Sequence, residues 1–285
     1  MKKRILLCLA VVLMCCITTV AQDAKMQPLT FWYEYAVNPG KEAQFVELVK
    51  TVGAPVRDKL LADGVVLAWG VQVPLLRIPG NATHEIWYTV ADWSGIEKVD
   101  TAMRAQIAKL DEEGMKSGTT KKGATGGATV TSRMMDTADV SKTHDYVTRD
   151  LVFVTGSGTM PASMLPYARY NFVKVRPGKG SEFRKVWEKY NKPVLDKLVA
   201  DGVVLAYGLA VEDVRTSGDF THYVWYATKD LGSMEKVRSA YMADRDRRSQ
   251  EEQDAISAEF LKVTDPEASR SEVTRAIMFR VGGMK

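Results

Sequence analysis

Apolar positions along the chain fall into short runs that alternate between two periods. Phe31 to Val37 and Tyr170 to Val175 are rich in aromatic and β-branched residues, and each ends at a Pro-Gly turn, which predicts strands. After each turn the period changes. Phe45, Leu48, Val49, Val52, Val56 and Leu60 recur at spacings of three and four, as do Phe183, Val186, Trp187, Tyr190, Val194 and Leu198, which is the apolar stripe of a helix. Asp63-Gly64 and Asp201-Gly202 stop these helices, glycine accepting the left-handed conformation that closes a last turn. Pro55 and Pro193 lie inside the helical pattern and predict a kink or short break. Val65 to Val73 and Val203 to Val211 are almost wholly apolar, as expected of strands covered on both faces. A third strand follows over Thr83 to Ala91 and Thr221 to Thr228. Ser94-Gly95-Ile96-Glu97 then opens a second helix with a capping-box pattern, its face formed by Ile96, Val99, Met103, Ile107 and Leu110. A last strand is expected over Leu151 to Thr155 and Ala276 to Val281.

The elements recur because the sequence does. DGVVLAWG, Asp63 to Gly70, returns as DGVVLAYG, Asp201 to Gly208, and at that offset of 138 the match runs without a gap from Pro39-Gly40-Lys41 to Glu97-Lys98-Val99. The chain is an internal duplication. Each copy reads βαββαβ, a ferredoxin-like unit, so the predicted class is α+β: repeats over 29–156 and 166–283, joined by a linker over 157–165 and pairing sheet to sheet. In such a pairing Leu67, Trp69 and Val71 are expected to enter the space between the sheets, with Ala68, Gly70 and Gln72 toward the helices, although parity alone leaves the opposite assignment open. The copies diverge after the second helix. Ser117 to Gly127 reads as a flexible loop, and Met242 to Glu252 as an exposed, charged continuation of the helix.

The first residues belong to a different kind of signal. Lys2, Lys3 and Arg4 precede an apolar run from Ile5 to Val20, and Thr19-Val20-Ala21 is a cleavage site in pattern, so 1–21 is expected to be a signal peptide. Met14 before Cys15 is too bulky for a lipidation motif. The mature chain is then expected to be secreted, periplasmic or extracellular. Cleavage also removes all three cysteines, Cys8, Cys15 and Cys16, leaving neither disulfide nor thiolate chemistry. The formal charge of +4 falls to 36 basic against 35 acidic residues, a balance that predicts neither a nucleic-acid partner nor a membrane surface.

Candidate chemistry lies in polar and aromatic residues common to both copies. Arg77, Thr83, His84, Trp87 and Tyr88 match Arg215, Thr221, His222, Trp225 and Tyr226. On a strand His84 and Tyr88 share one face and Trp87 takes the other. These residues could line a pocket together with Trp69 and Tyr207, with His84 and His222 as proton-moving candidates; the alternative is that they close hairpin ends and fill the core. Differences between copies are a second guide. Phe31 and Tyr33 become Arg169 and Asn171, while Glu34 becomes Phe172, making Glu34, Arg169 and Asn171 further pocket candidates. There is no phosphate loop and no Gly-x-Ser-x-Gly elbow, and His84-Glu85-Ile86-Trp87-Tyr88 has Tyr where a zinc helix needs its second His. No metal site is predicted.

The pattern Val-x-Pro-Gly-Lys-x-x-x-Phe between strand and helix, present in both copies, resembles the dimeric α/β-barrel superfamily. That superfamily includes the antibiotic-biosynthesis monooxygenases, the stress-responsive A/B-barrel proteins and the NIPSNAP-like proteins. The resemblance implies a pseudo-dimeric barrel within one chain, but it marks a fold rather than a reaction. Three functions are therefore expected: binding of a small hydrophobic or aromatic molecule, a cofactor-independent or haem-dependent monooxygenase-like enzyme, or a non-catalytic interaction protein. Haem enters only through the resemblance, and the residues themselves predict no cofactor. A homo-oligomer is compatible with both resemblance and sequence.

Overall fold

The computed structural model describes residues 27–76, 81–118, 128–156, 164–214, 216 and 220–282. The predicted leader, residues 157–163 of the predicted linker, Arg77, Gly80, Arg215 and Gly218 lie outside these residues. The first half runs β1 (Leu29–Val37), α1 (Glu42–Leu48), a π-helical turn (Val49–Gly53), α2 (Ala54–Ala62), β2 (Val66–Pro74), β3 (His84–Val90), α3 (Trp93–Gly118), α4 (Val130–Thr137) and β4 (Ala138–Thr155). The second half runs β5 (Tyr167–Val175), α5 (Gly180–Tyr190), α6 (Lys192–Ala200), β6 (Ala206–Val214), β7 (His222–Thr228), α7 (Leu231–Asp246), α8 (Gln250–Val263) and β8 (Thr264–Val281).

The eight strands close into one antiparallel barrel in the order β1-β3-β2-β8-β5-β7-β6-β4. The fold is thus the predicted α+β pairing of two ferredoxin-like sheets, with the helices outside. Both sheets share an interior and are also stitched edge to edge. Each last strand has 18 residues, far longer than its apolar end suggested. The front of β4 pairs with β1 from Ala138 to Arg149, and its back pairs with β6 from Val147 to Thr155. Likewise β8 pairs with β5 up to Arg275 and with β2 from Thr274 to Val281. Only the half that crosses to the other sheet is apolar enough to be read as strand from sequence.

Local chemistry explains most boundaries. Gly64 and Gly202 take φ of +73° and +68°, closing α2 and α6 as predicted from Asp-Gly. The helix after each Pro-Gly turn is interrupted just before Pro55 and Pro193, which begin the next helix. The cap of α3 differs from expectation. Asp92, not Ser94, accepts from the Gly95 amide at 3.1 Å, and its counterpart Asp230 accepts from the Ser233 amide at 2.6 Å. The charged segment after Met242 is not one continuous helix either. It breaks at Arg247, and Ser249 and Glu252 form a capping box that starts α8.

Burial corrects the assignment of the second strand's faces. Trp69 and Val71 pack under the helices with Phe45 and Val99, while Gly70 and Gln72 face the barrel interior. The reason is the neighbouring strand. A Cβ on Gly70 would lie 2.8 Å from the Trp87 indole, and one on Gly208 would lie 2.5 Å from that of Trp225. The repeated glycine is the space that each interior tryptophan occupies.

Candidate functional site

Alternation along the strands sends Trp32, Glu34, Glu85, Trp87, Tyr146, Tyr170, Phe172 and Tyr223 into the barrel, and side chains fill it. Trp32 meets Tyr170 edge-on at 5.6 Å and Tyr223 at 6.2 Å, and Phe172 meets Phe220 at 4.9 Å. Several polar groups inside pair with one another, while the Trp32 indole nitrogen is buried without a hydrogen-bond partner among the described residues. Gln72 donates to Glu85 at 2.5 Å, the Tyr170 hydroxyl donates to Gln72 at 3.3 Å, and the Tyr146 hydroxyl donates to Glu34 at 3.0 Å. Burial, then the neighbouring Glu272 and Glu34, pushes the Glu85 carboxyl well up, and burial raises Glu34. Asp150, also buried, is pushed up to about 7 by burial alone. Glu34 is therefore part of the packed interior.

The two repeat histidines face the other way. His84 packs on Phe45 at 5.0 Å and His222 on Phe183 at 5.4 Å, under the helices. Each Nδ1 shares a hydrogen bond with the preceding threonine, Thr83 at 3.1 Å and Thr221 at 2.9 Å. Those threonines accept in turn from the Val37 and Val175 amides, at 2.9 and 2.8 Å. This arrangement ties the start of β3 and β7 to the end of β1 and β5. Trp69 and Tyr207 likewise anchor helices: the Trp69 indole donates to Asp58 at 2.9 Å, and the Tyr207 hydroxyl donates to Asp196.

Open space lies between the outer face of the second sheet and its helices. A cavity of about 340 Å³ is lined by Arg169, Asn171, Tyr226, Val237, Arg238, Tyr241, Met242 and Arg245. A second of about 240 Å³ shares Asn171, Tyr226 and Tyr241 and extends to Trp187, Asn191, Leu195 and Trp225. Arg169 and Tyr226 are register partners across β5 and β7, and Arg169 Nε donates to Asn171 at 3.3 Å. Asn171 also accepts from Ser271 at 2.7 Å, which holds its side chain in place. Arg169, Asn171 and Tyr226 are thus brought together, and Trp225, whose indole lies across Gly208 in the interior, borders only the second cavity, whereas Glu34, Trp87, Tyr88, Trp69, Tyr207 and both histidines are not among the lining residues.

In the first half aromatic side chains and an arginine occupy the same place. Phe31, Tyr33 and Tyr88 cluster with ring centroids 4.7 to 6.2 Å apart, and Met103 packs against the same core. Arg57, only 4% exposed, lies over Trp69 at 5.9 Å and presses on Gly53. Burial lowers its guanidinium pKa, an effect the Tyr33, Tyr35 and Tyr88 phenols oppose. At the offset of 138, Gly53 and Arg57 become Asn191 and Leu195, and Met103 and Ile107 become Tyr241 and Arg245. Arg238, Tyr241 and Arg245 lie on the second helix, and the offset of 138 continued along it sets them against Asp100, Met103 and Ile107.

No protein-family model matches the chain, and no curated protein matches its sequence. Solved structures do. A "putative monooxygenase" from Fusobacterium nucleatum subsp. nucleatum superposes with a TM-score of 0.58 at 12% identity, over 91% of this chain and 96% of that one. The chain has the dimeric α/β-barrel fold. A second protein of the same description, from Lactobacillus acidophilus NCFM, gives 0.52 at 8% identity over 90% and 97% of the two chains. A haem-binding protein from Thermus thermophilus gives 0.48 at 8% identity over 88% and 91%.

Within this dimeric α/β barrel, the residues around the cavity do not fit haem. No imidazole or thiolate lines it, and burial pushes the Tyr226 and Tyr241 phenols up, away from the phenolate that would ligate iron. No group of three or more metal-ligating side chains occurs among the described residues. No carboxylate is among the residues lining the two cavities. The lining offers cations, an amide and aromatic faces.

Proposed function

We propose that this protein binds a small amphipathic, aromatic molecule in the cleft between β5, β7 and helices α5 to α7. One observation carries the reading: the cleft is created by substitution within a duplication. Phe31, Tyr33 and Arg57 fill the first half, and Arg169, Asn171 and Leu195 leave the matching space open in the second. A cavity of this size in a well-packed protein forfeits packing energy, so its retention points to use. The monooxygenase-like reading draws on the fold of two neighbours alone.

The test is native mass spectrometry of the protein purified from its own source, beside the variant R169F/N171Y, which restores the first half's filling. The wild type is expected to carry a reproducible extra mass, released on denaturation, that the refilled variant lacks. Equal adduct on both proteins, or a bare mass for the wild type with no thermal shift against a panel of aromatic metabolites, would overturn the proposal.

We further propose that the chain works outside the cytoplasm after cleavage at Ala21, a reading that rests on the leader pattern. Terminal sequencing of the exported protein should begin at Gln22. A chain retained in the cytoplasm with Met1 intact would count against it.

A further inference from the structure

We infer that the ligand of this cleft is an anion, an aromatic body bearing a carboxylate, sulfonate or phosphate, and that Arg169 is the residue that selects it. The inference rests on the cleft being the binding site and adds the class of molecule it takes. At the offset of 138, Arg169, Arg238 and Arg245 stand where the first half has Phe31, Asp100 and Ile107. Opening the cavity therefore came with a change of local charge, in a chain whose overall formal charge is close to balanced. The rim arginines have acidic partners on the solvent side: Arg238 pairs with Glu235 at 3.0 Å and Arg245 with Asp246 at 3.1 Å, both exposed. Such pairs are weak and exchangeable.

Arg169 differs from both. It is half-buried on the floor of the cleft, where it hydrogen-bonds to the Asn171 carbonyl oxygen and the Tyr226 phenol. Among the described residues it has no carboxylate partner. A guanidinium drawn partly out of water without a counter-charge is costly, and an incoming anion relieves that cost while gaining a charge-assisted, two-pronged hydrogen bond. Tyr226, Tyr241 and Met242 supply the apolar walls for a ring beside it. A cation would meet three arginines, and a neutral ring would leave the charge of Arg169 without a counter-ion. The small volume favours a molecule of a few rings.

Two dyes separate these terms. Anilinonaphthalene sulfonate and N-phenylnaphthylamine share a fluorescent ring system, and only the first carries the anion. Titrated into the chain from residue 22 onward, the sulfonate should bind with one site and at least about tenfold more tightly than the neutral dye, the size expected of a charge-assisted hydrogen bond. In R169L, which keeps the cleft open, the sulfonate should fall to the level of the neutral dye, while the neutral dye stays within about twofold. Added salt should narrow the gap in the wild type only. If both dyes bind the wild type alike and R169L changes neither, the anion inference fails. The cleft survives that result provided R169F/N171Y, folded by near-ultraviolet dichroism, loses both dyes. If the refilled variant binds both as the wild type does, the cleft itself is not the site. N171Y alone serves the same purpose should the double variant not fold.

Discussion

The interior of the barrel is decided by a few residue-sized volumes and charges. Gly70 and Gly208 have no side chain because Trp87 and Trp225 lie across them. Gly70→Ala and Gly208→Ala should each cost about 1–3 kcal/mol, the range for overpacking a rigid interior, read as a lower urea midpoint with unchanged slope. His84→Ala and His222→Ala should lower the melting temperature by breaking the Thr–His clasp while leaving dye binding intact; loss of binding with full stability would return the histidines to the site. Asp150 sets a pH dependence. An unfolded aspartate releases its proton near pH 4, whereas Asp150 holds its own until about 7. The stability it carries as a neutral acid is complete below about pH 4, declines as pH rises through about 7, and is gone above; a gap of about three in pH corresponds to about 4 kcal/mol in all. Burial raises Glu34 and Glu85 in the same direction. The protein should therefore melt higher at pH 5 than at pH 8, and Asp150→Asn should flatten part of that slope. An unchanged slope would mean that Asp150 is hydrated in solution.

At the scale of elements, what the sequence made legible and what it hid have separate causes. The core strands, the helix stripes and their glycine stops were readable because each is fixed by its own residues, and the duplication printed them twice. The front halves of β4 and β8 were hidden: Asp139 to Asp145 and Asp265 to Glu272 are polar, and they are strands because β1 and β5 offer them a ladder. α4 was hidden for a related reason. Val130, Thr131 and Thr137 are β-branched, and the helix is held by its Thr129 cap and by Val130 packing on Leu48 and Val52. α8 depends on a capping box inside what reads as one charged run, and it docks through Tyr190, which donates to Glu259 at 2.8 Å and packs on Phe260. Ser249→Ala should cost about 1 kcal/mol, detectable as faster amide exchange in α8 before α7. The candidate site divides in the same way. Arg169 and Asn171 were visible as departures from the repeat, but which face of β5 they take depends on Gly208 and Trp225, a packing relation between strands that no single strand encodes.

For the whole molecule, duplication answers the problem of sheet edges. A lone ferredoxin-like sheet would leave β2 and β4 with unpaired backbone donors and acceptors, an invitation to bind another copy. Here β2 is covered by β8 and β4 by β6, so every strand of the barrel has two neighbours within one chain. The covalent link makes that pairing intramolecular and independent of concentration. It also frees the halves to diverge, since a two-fold dimer must carry identical sites and a fused pair need not. The first half has spent this freedom on a filled, aromatic-and-arginine core, and the second on a cleft. Light scattering on the chain from residue 22 onward should accordingly give the mass of a single chain at micromolar concentration. Removing the crossing end of β8, residues 275–282, should uncover β2 and shift the mass to that of two chains or more. A wild type already at twice the chain mass would show that association is driven by the helical surface, and the closed barrel would then be one partner in a larger assembly.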